Sequence, residues 1–307
     1  MRGILLYCRE DAGRNASYIQ QYQQEGRSLG MDIQLVLVEE LCEDEIRVEE
    51  VFADYVSTSM PPDFVINRTR MYSFGEILED RGIPVFNSSL VSRVGNDKWE
   101  AYTFFKQHLP ELPMAETKYI ASDDELSRIL FSDSFREYRE KYPVIKSCQG
   151  HGGQEVYLVS GRADGVCGPL SEQAGSNVDT VYKALSGKAC IAQRRILTKL
   201  PTDIRVYVLG GKIYAAMERT GQPGGFLANF SKGGHARPVS LTASQCNMVE
   251  AVLDVLPMDY AGIDFIEDVD GNWILGEIED MVGARMLWEC QKISPVGAYL
   301  RHIKGNI

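Results

Sequence analysis

Residues 261–279 read Ala261-Gly-Ile-Asp-Phe-Ile-Glu-Asp-Val-Asp-Gly-Asn-Trp-Ile-Leu-Gly-Glu-Ile-Glu279. Two apolar-rich runs flank Asp270-Gly271, a dipeptide favoured at the centre of a two-residue type I′ hairpin turn, where both positions take positive φ. With that pair at the centre, Asp264 faces Glu277, and directly opposed side chains have Cβ atoms about 4.5–5.5 Å apart. Side chains alternate along a strand, so Glu279 shares their face while Ile263, Phe265, Ile274 and Ile278 point to the other. Carboxylates gathered on one face repel one another and are costly to desolvate. A divalent cation removes both penalties. A ligand set made of oxygens, with no His or Cys nearby, selects Mg2+ or Mn2+ over Zn2+. The competing reading is an acidic, solvated hairpin face, and one bulge would move these residues to different faces.

Upstream lies a second hairpin, Asp203-Ile-Arg-Val-Tyr-Val-Leu-Gly-Gly-Lys-Ile-Tyr-Ala-Ala-Met-Glu-Arg219, turning at Gly210-Gly211. Arg205 and Arg219 interrupt largely apolar strands. Such charges can protect a sheet edge. Beside a metal-binding carboxylate face, they would instead grip phosphate or carboxylate oxygens in bidentate fashion. Further upstream, Pro143-Val-Ile-Lys146 and Glu155-Val-Tyr-Leu-Val159 flank the loop Gln149-Gly-His-Gly-Gly-Gln154. Glycines let backbone N–H groups approach an anion closely. The unit therefore reads either as a flap over phosphates with Lys146 at its base, or as an ordinary glycine-rich turn. No Gly-Lys-Ser/Thr follows, so it is not a Walker A loop.

The first 94 residues alternate short apolar runs (Ile4–Tyr7, Ile33–Val38, Asp63–Ile66, Ile83–Phe86) with helix-favouring stretches (Asn15–Leu29, Phe74–Asp80), the pattern of a parallel sheet covered by helices. No G-x-G-x-x-G follows the first run, which argues against a dinucleotide-binding dehydrogenase. Asp97-Lys98 opens a helix to His108, where Lys98 taken alone reads as a solvated lysine. Ser122-Asp-Asp-Glu125 and Thr242-Ala-Ser-Gln245 are capping-box patterns that start further helices. Ala284–Tyr299 reads as a helical region broken at Pro295.

Lys and Arg number 32 against 43 Asp and Glu, a net charge of −11 that argues against a phosphate backbone as partner. No apolar run approaches the roughly 20 residues of a spanning helix. Acidic residues arrive by Glu10, too early for a signal peptide. Seven scattered cysteines with no C-x-x-C pair fit free thiols in a reducing, cytoplasmic compartment.

Asp203-Ile-Arg205, Ala215-Ala-Met-Glu-Arg219, Phe226-Leu-Ala-Asn229, Gly233-Gly234, Ala261-Gly-Ile-Asp264 and Glu277-Ile-Glu279, in that order, resemble the ATP-grasp superfamily. Within it they resemble the branch of the ribosomal-protein S6 glutamate ligase, from about Asn96 to Glu279. The resemblance implies an α/β chain of the α+β ATP-grasp type. A parallel pre-ATP-grasp domain would span 1–94, with ATP enclosed between a central lobe at 95–192 carrying the flap and a C-terminal lobe at 193–307 carrying the metal site. It gives Lys98 and Lys146 to the ATP phosphates, with Lys146 also near the adenine side. Gly152 and Gly153 fall to the flap, and Gln193 to the hinge whose neighbouring backbone reads the adenine edge. Asp264, Glu277 and Glu279 would hold two Mg2+. Arg205, Arg219 and Asn229 would face the γ-phosphate and the acyl intermediate, with Arg219 stabilising the oxyanion.

The implied activity is an ADP-forming carboxylate–amine ligase working through an acylphosphate on an amino acid or peptide. A kinase acting on a small-molecule hydroxyl and a non-catalytic nucleotide-binding module are the alternatives. The implied partners are small-molecule or peptide carboxylates and amines, with no nucleic acid and no membrane, and the resemblance allows a homo-oligomer. One departure stands out: the branch usually has Asn at the position of Glu279, followed by a small-residue and proline turn, where this chain continues Asp280-Met-Val-Gly-Ala-Arg285. The added charge would tighten Mg2+ binding or take Arg285 as counter-ion. The acceptor should lie near that turn, so the resemblance does not carry over its identity.

Overall fold

Strands form wherever β-branched and aromatic residues alternate or cluster between turn residues, and they assemble into three sheets. In a computed structural model of the chain, residues 1–41, 47–57, 61–152, 155–159, 166–169, 178–221 and 235–307 are described. The N-terminal sheet contains β1 (Arg2–Tyr7), β2 (Asp32–Leu37), β3 (Phe64–Asn67) and β4 (Val85–Phe86), parallel and in the order β2-β1-β3-β4. Its strands coincide with the apolar runs expected from the sequence. Both faces of β1 are buried, as a parallel sheet covered on two sides requires.

The middle sheet holds β5 (Thr117–Ile120), β6 (Val144–Ser147), β7 (Val156–Val159), β8 (Val166–Pro169) and β9 (Cys190–Gln193) in the order β5-β9-β6-β7-β8. The last sheet holds β10 (Thr202–Leu209), β11 (Lys212–Thr220), β12 (His235–Pro238), β13 (Tyr260–Glu267) and β14 (Trp273–Glu279) in the order β12-β11-β10-β13-β14. One face of this last sheet packs on helix Ala243–Val255 and on the helices Ser89–Asn96 and Lys98–His108. The other face shares a core with the N-terminal domain through Tyr7, Phe64, Tyr207, Met217, Tyr260 and Tyr299. Thr242 and Gln245 form the full capping box. Ser122 caps Glu125 N–H, but Glu125 reaches back to Ala121 N–H instead of Ser122. The closing helices are Arg285–Gln291 and Val296–Gly305, with Pro295 as N-cap of the second.

The β13–β14 hairpin differs from its expected form in two places. Asp268 and Asn272 close a three-residue loop, Val269–Gly271, with Gly271 at φ +87°; this is the type I turn plus left-handed glycine pattern and not a two-residue turn. A bulge at Gly276 then adds one residue to β14: Phe265 pairs Leu275, whereas Asp264 pairs Glu277. The two offsets cancel beyond the bulge, so Asp264 does face Glu277. Nearer the turn they do not, and Leu275 takes the core position expected for Ile274.

Asn87, buried just past β4, clamps the N-terminal domain to β13. It donates to Tyr260 O and Asp280 Oδ1, both at 2.8 Å, and accepts from Asp259 N at 2.6 Å and Tyr260 N at 2.9 Å. Removing it strands buried polar groups that cost about 1–3 kcal/mol each. Asn87→Ala is expected to lower the unfolding free energy by about 2–4 kcal/mol, read as a lower urea midpoint. An unchanged midpoint contradicts the clamp.

Candidate active site

Strands β11, β10, β13 and β14 lie side by side, and charged residues placed opposite one another form a ladder across them. Arg205 faces Asp264 and Asp203 faces Arg219 in the strand register. Arg205 grips Asp264 with Nε and Nη2, both at 2.7 Å, and also pairs with Glu279. Arg219 grips Asp203 at 2.5 and 2.7 Å and reaches Asp264 Oδ2 at 2.5 Å. Arg219 and Asp264 are buried. Burial pushes both aspartates up. At Asp264 the Arg205 and Arg219 guanidiniums outweigh it and hold the carboxyl well below the usual range, whereas at Asp203 burial prevails and the carboxyl is pushed up to about 6.

Facing this ladder is the middle sheet. Lys146, on β6, donates to Gln193 Oε1 at 2.7 Å, and Gln193 in turn donates to Thr117 Oγ1 at 3.0 Å. Gln193, expected at a hinge that reads a base, is thus first a support for Lys146. Lys98 begins the helix capped by Asp97; its Nζ lies 3.5 Å from Glu277 Oε1 and donates to Gly150 O. Its backbone N–H donates to Cys148 O at 2.9 Å, tying helix to loop. Burial, reinforced by the nearby charge of Lys98 and opposed by Glu277, lowers the pKa of Lys146 to about 8. Gly152 has φ +62° on the loop. Gly153 and Asn229 lie outside the described residues.

A single cavity of about 590 Å³ joins these groups: Lys98, Lys146, Gln193, Arg205, Glu277 and Glu279 all line it. That volume suits a small-molecule ligand. Glu277 and Glu279 stay about 41% and 40% exposed at its surface. Among the described residues, no three acidic, His or Cys side chains gather closely enough to cage a metal by themselves. The counter-ion of Glu279 is Arg205 and not Arg285. Sequence reasoning missed Asp203 as a partner of Arg219. A plain turn at Gly210-Gly211 would set Asp203 opposite Glu218, and the bulge at Tyr214 sets it opposite Arg219.

Removing one member of a buried ion network leaves its partners uncompensated, at about 3–5 kcal/mol. Arg219→Met is expected to destabilise the chain by about that amount in urea unfolding, and adding Asp203→Leu should recover a substantial part. Equal stability of Arg219→Met and the unsubstituted protein would show that the ladder is not coupled.

The family profile of the RimK-like ATP-grasp domain matches residues 95–296. A probable alpha-L-glutamate ligase of Pasteurella multocida is 28% identical over 209 residues, which are 68% of this chain and 60% of that protein. A RimK domain ATP-grasp protein from Sphaerobacter thermophilus superposes with a TM-score of 0.65 at 16% identity, over 99% of this chain and 100% of that one. The ATP-grasp ligase PsnB, complexed with a phosphomimetic variant of its minimal precursor, Mg and ADP, superposes with a TM-score of 0.61 at 12% identity, over 99% and 97% of the two chains. The match spans the middle and last sheets, which carry the ladder and the lysines facing it, and with it the chain belongs to the RimK-like ATP-grasp family.

Proposed function

We propose that this protein is an ATP-dependent carboxylate–amine ligase that forms an amide or peptide bond on an amino acid or peptide and releases ADP and phosphate. The observation that carries the reading is the single cavity in which Lys98 and Lys146 stand opposite Glu277, Glu279 and the Arg205–Arg219 ladder. Family membership and ligase relatives support it. Within it, 1–94, 95–192 and 193–307 are the three domains, and ATP lies between the last two.

Lys98 and Lys146 hold phosphates, with Gly152 of the glycine loop beside them; Gly153, outside the described residues, keeps the flap role that family resemblance gives it. Glu277 and Glu279, assisted by Asp264, would hold Mg2+. The donor set fits this ion, which commonly takes one or two protein carboxylates and completes its shell with phosphate oxygens and water. Bound there, Mg2+ neutralises phosphate charge and orients the transferring group. The reaction has two steps. A substrate carboxylate oxygen bonds to the γ-phosphorus as the bond to ADP breaks. The amine nitrogen then bonds to the acyl carbon, phosphate leaves, and the amine gives up a proton. Both steps build charge on oxygen. Arg205 and Arg219, already fixed by three carboxylates, meet that charge without reorganising. Arg219 faces the oxyanion, and Asn229 keeps the role that family resemblance gives it. The net charge of −11 and the free thiols at Cys8, Cys148, Cys190, Cys246 and Cys290 fit a cytoplasmic enzyme of soluble substrates, and no helix among the described residues is long and apolar enough to cross a membrane.

Two measurements check this. With ATP, Mg2+ and a pool of L-amino acids and short peptides, purified protein is expected to release ADP and free phosphate in equal amounts and to form an amide. A stable phosphate ester without free phosphate makes it a kinase, and ATP binding without turnover makes it a binding module. In the second, nucleotide affinity is followed with pH. Because Lys146 is lowered to about 8, the free protein loses that charge as pH rises above 8, and nucleotide binding must then be accompanied by uptake of a proton from solvent. Affinity should therefore weaken from pH 8 to 9.5 in the unsubstituted protein and much less in Lys146→Arg, whose guanidinium stays charged. A flat profile in the unsubstituted protein removes Lys146 from the phosphate site.

A further inference from the structure

Thr117, the first residue of β5, is 3% exposed and stands behind the cavity wall without lining the cavity. Its hydroxyl donates to Ala115 O at 2.9 Å and accepts from Gln193 Nε2 at 3.0 Å. Gln193 Oε1 in turn accepts from Lys146 Nζ at 2.7 Å. The strand register brings the three together. Thr117 faces Gln193 across β5 and β9, and Gln193 faces Val144 across β9 and β6. Lys146 lies two residues beyond Val144 and so shares its face.

The order of donors and acceptors along this chain of bonds is fixed. An ammonium carries three donors and no acceptor, so Lys146 can meet only the oxygen end of an amide. The Gln193 NH2 group then points at Thr117, whose oxygen must accept, and the hydroxyl proton is left for Ala115 O. Turning the amide round would set its NH2 against the ammonium and take the hydroxyl from Ala115 O. The charged groups that bear on Lys146 are Lys98 and Glu277. Among the described residues Lys146 has no ion pair, and the Gln193 oxygen is the acceptor that holds it. The segment carrying Thr117 is itself pinned on both sides of the cavity. Leu275 N of β14 donates to Pro113 O at 2.9 Å, and Arg194 N donates to Glu116 O at 2.9 Å.

We propose that Thr117 is a positioning residue for the nucleotide site: without touching a ligand, its hydroxyl holds the Gln193 oxygen against Lys146 and so fixes the direction from which that ammonium meets a phosphate. The inference rests on the reading of Lys146 as a phosphate contact. Valine has the shape of threonine without the hydroxyl. In Thr117→Val the buried Gln193 NH2 loses its acceptor, which is costly, and the amide turns toward water in the cavity, taking its oxygen from Lys146. Burial and the charge of Lys98 then act on the ammonium with only Glu277 against them, and both favour the neutral amine. Lys146 should therefore lose its proton at lower pH. Thr117→Ser keeps the hydroxyl and should keep the bond.

The test follows the free full-length chain, labelled with carbon-13 at lysine Cε, by NMR from pH 6 to 10, with the Lys146 signal assigned from Lys146→Arg. Thr117→Val is expected to titrate about one pH unit below the unsubstituted protein, the size of one charge-assisted hydrogen bond, and Thr117→Ser to titrate with the unsubstituted protein. Gln193→Met reads the same bond without touching Thr117. It should lower the titration at least as far, and adding Thr117→Val to it should change nothing further, because the two substitutions break one connection. A hydroxyl with a merely structural role would lower the urea midpoint in Thr117→Val and leave the Lys146 titration in place. The proposal is overturned by that result, by a Thr117→Ser that behaves as Thr117→Val, or by additive effects of Thr117→Val and Gln193→Met. Calorimetry with Mg2+ and a non-hydrolysable ATP analogue at pH 7.5 then reads the consequence, an affinity about fivefold to tenfold weaker in Thr117→Val. A lowered Lys146 titration with unchanged nucleotide affinity would remove Lys146 from the phosphate site and leave its link to Thr117 standing.

Discussion

Arg205 and Arg219, locked between Asp203, Asp264 and Glu279 across neighbouring strands, are the constraint on which the rest of the site depends. A lone guanidinium on a strand would swing with its rotamers and carry its own hydration. A bidentate contact to one carboxylate and a further contact to a second remove that freedom before any ligand arrives. The cost of desolvating five charges is met because each carboxylate oxygen nearest the core has a donor. Helix Ala243–Val255 and the tyrosine-rich core shared with the N-terminal segment pack on the two faces of the sheet, so ladder geometry depends on the packing of both faces. The ladder is also what gives Asp203 and Asp264 opposite titration behaviour: one has two guanidiniums, the other only a share of one.

Much of this was readable in the chain, and where it was not, strand irregularity is the reason. The N-terminal sheet follows from short apolar runs, buried on both faces in β1, β3 and β4, a signal independent of register. The carboxylate hairpin is different. Its turn is one residue longer than Asp270-Gly271 implies, and Gly276 adds one residue back. The pairing of Asp264 with Glu277 emerges from two offsets that composition does not reveal, and the exchange of Ile274 for Leu275 in the core is their visible trace. In hindsight Gly276, lacking a Cβ where Asp264 O stands 3.2 Å away, is the mark of such a bulge. Tyr214 bears no such mark, so the pairing of Asp203 with Arg219 could not be read from the turn glycines. Gln193 and Asn87 were beyond reach for another reason: each makes contacts between segments far apart in sequence.

The N-terminal domain, which carries no phosphate-binding motif, shapes the cleft all the same. Asn87 holds β13 from behind, and Arg68 holds the turn after β14. Arg68 bonds backbone carbonyls alone, whereas Asn87 bonds the backbone of Asp259 and Tyr260 and the side chain of Asp280, so together they constrain the path of the chain. The departure at Asp280–Arg285 changes what the turn presents, while buried Asp280, held by Asn87 and Asn96, keeps its position.

The free site is electrostatically satisfied, and this bears on the order in which ligands can enter. Lys98 is shared between Glu277 and the carbonyl of Gly150, and Lys146 rests on Gln193. A polyphosphate is a stronger partner for either lysine than a half-exposed carboxylate or a neutral amide. Drawing Lys98 away would leave Glu277 without its cation and free to help hold a divalent ion. In the ligase reading, nucleotide and divalent cation therefore favour each other's binding, and linkage requires the effect to be equal in both directions. The same exchange keeps the acidic face from drawing in a cation strongly before the nucleotide is present, because until then Glu277 and Glu279 are each neutralised by the protein's own basic groups.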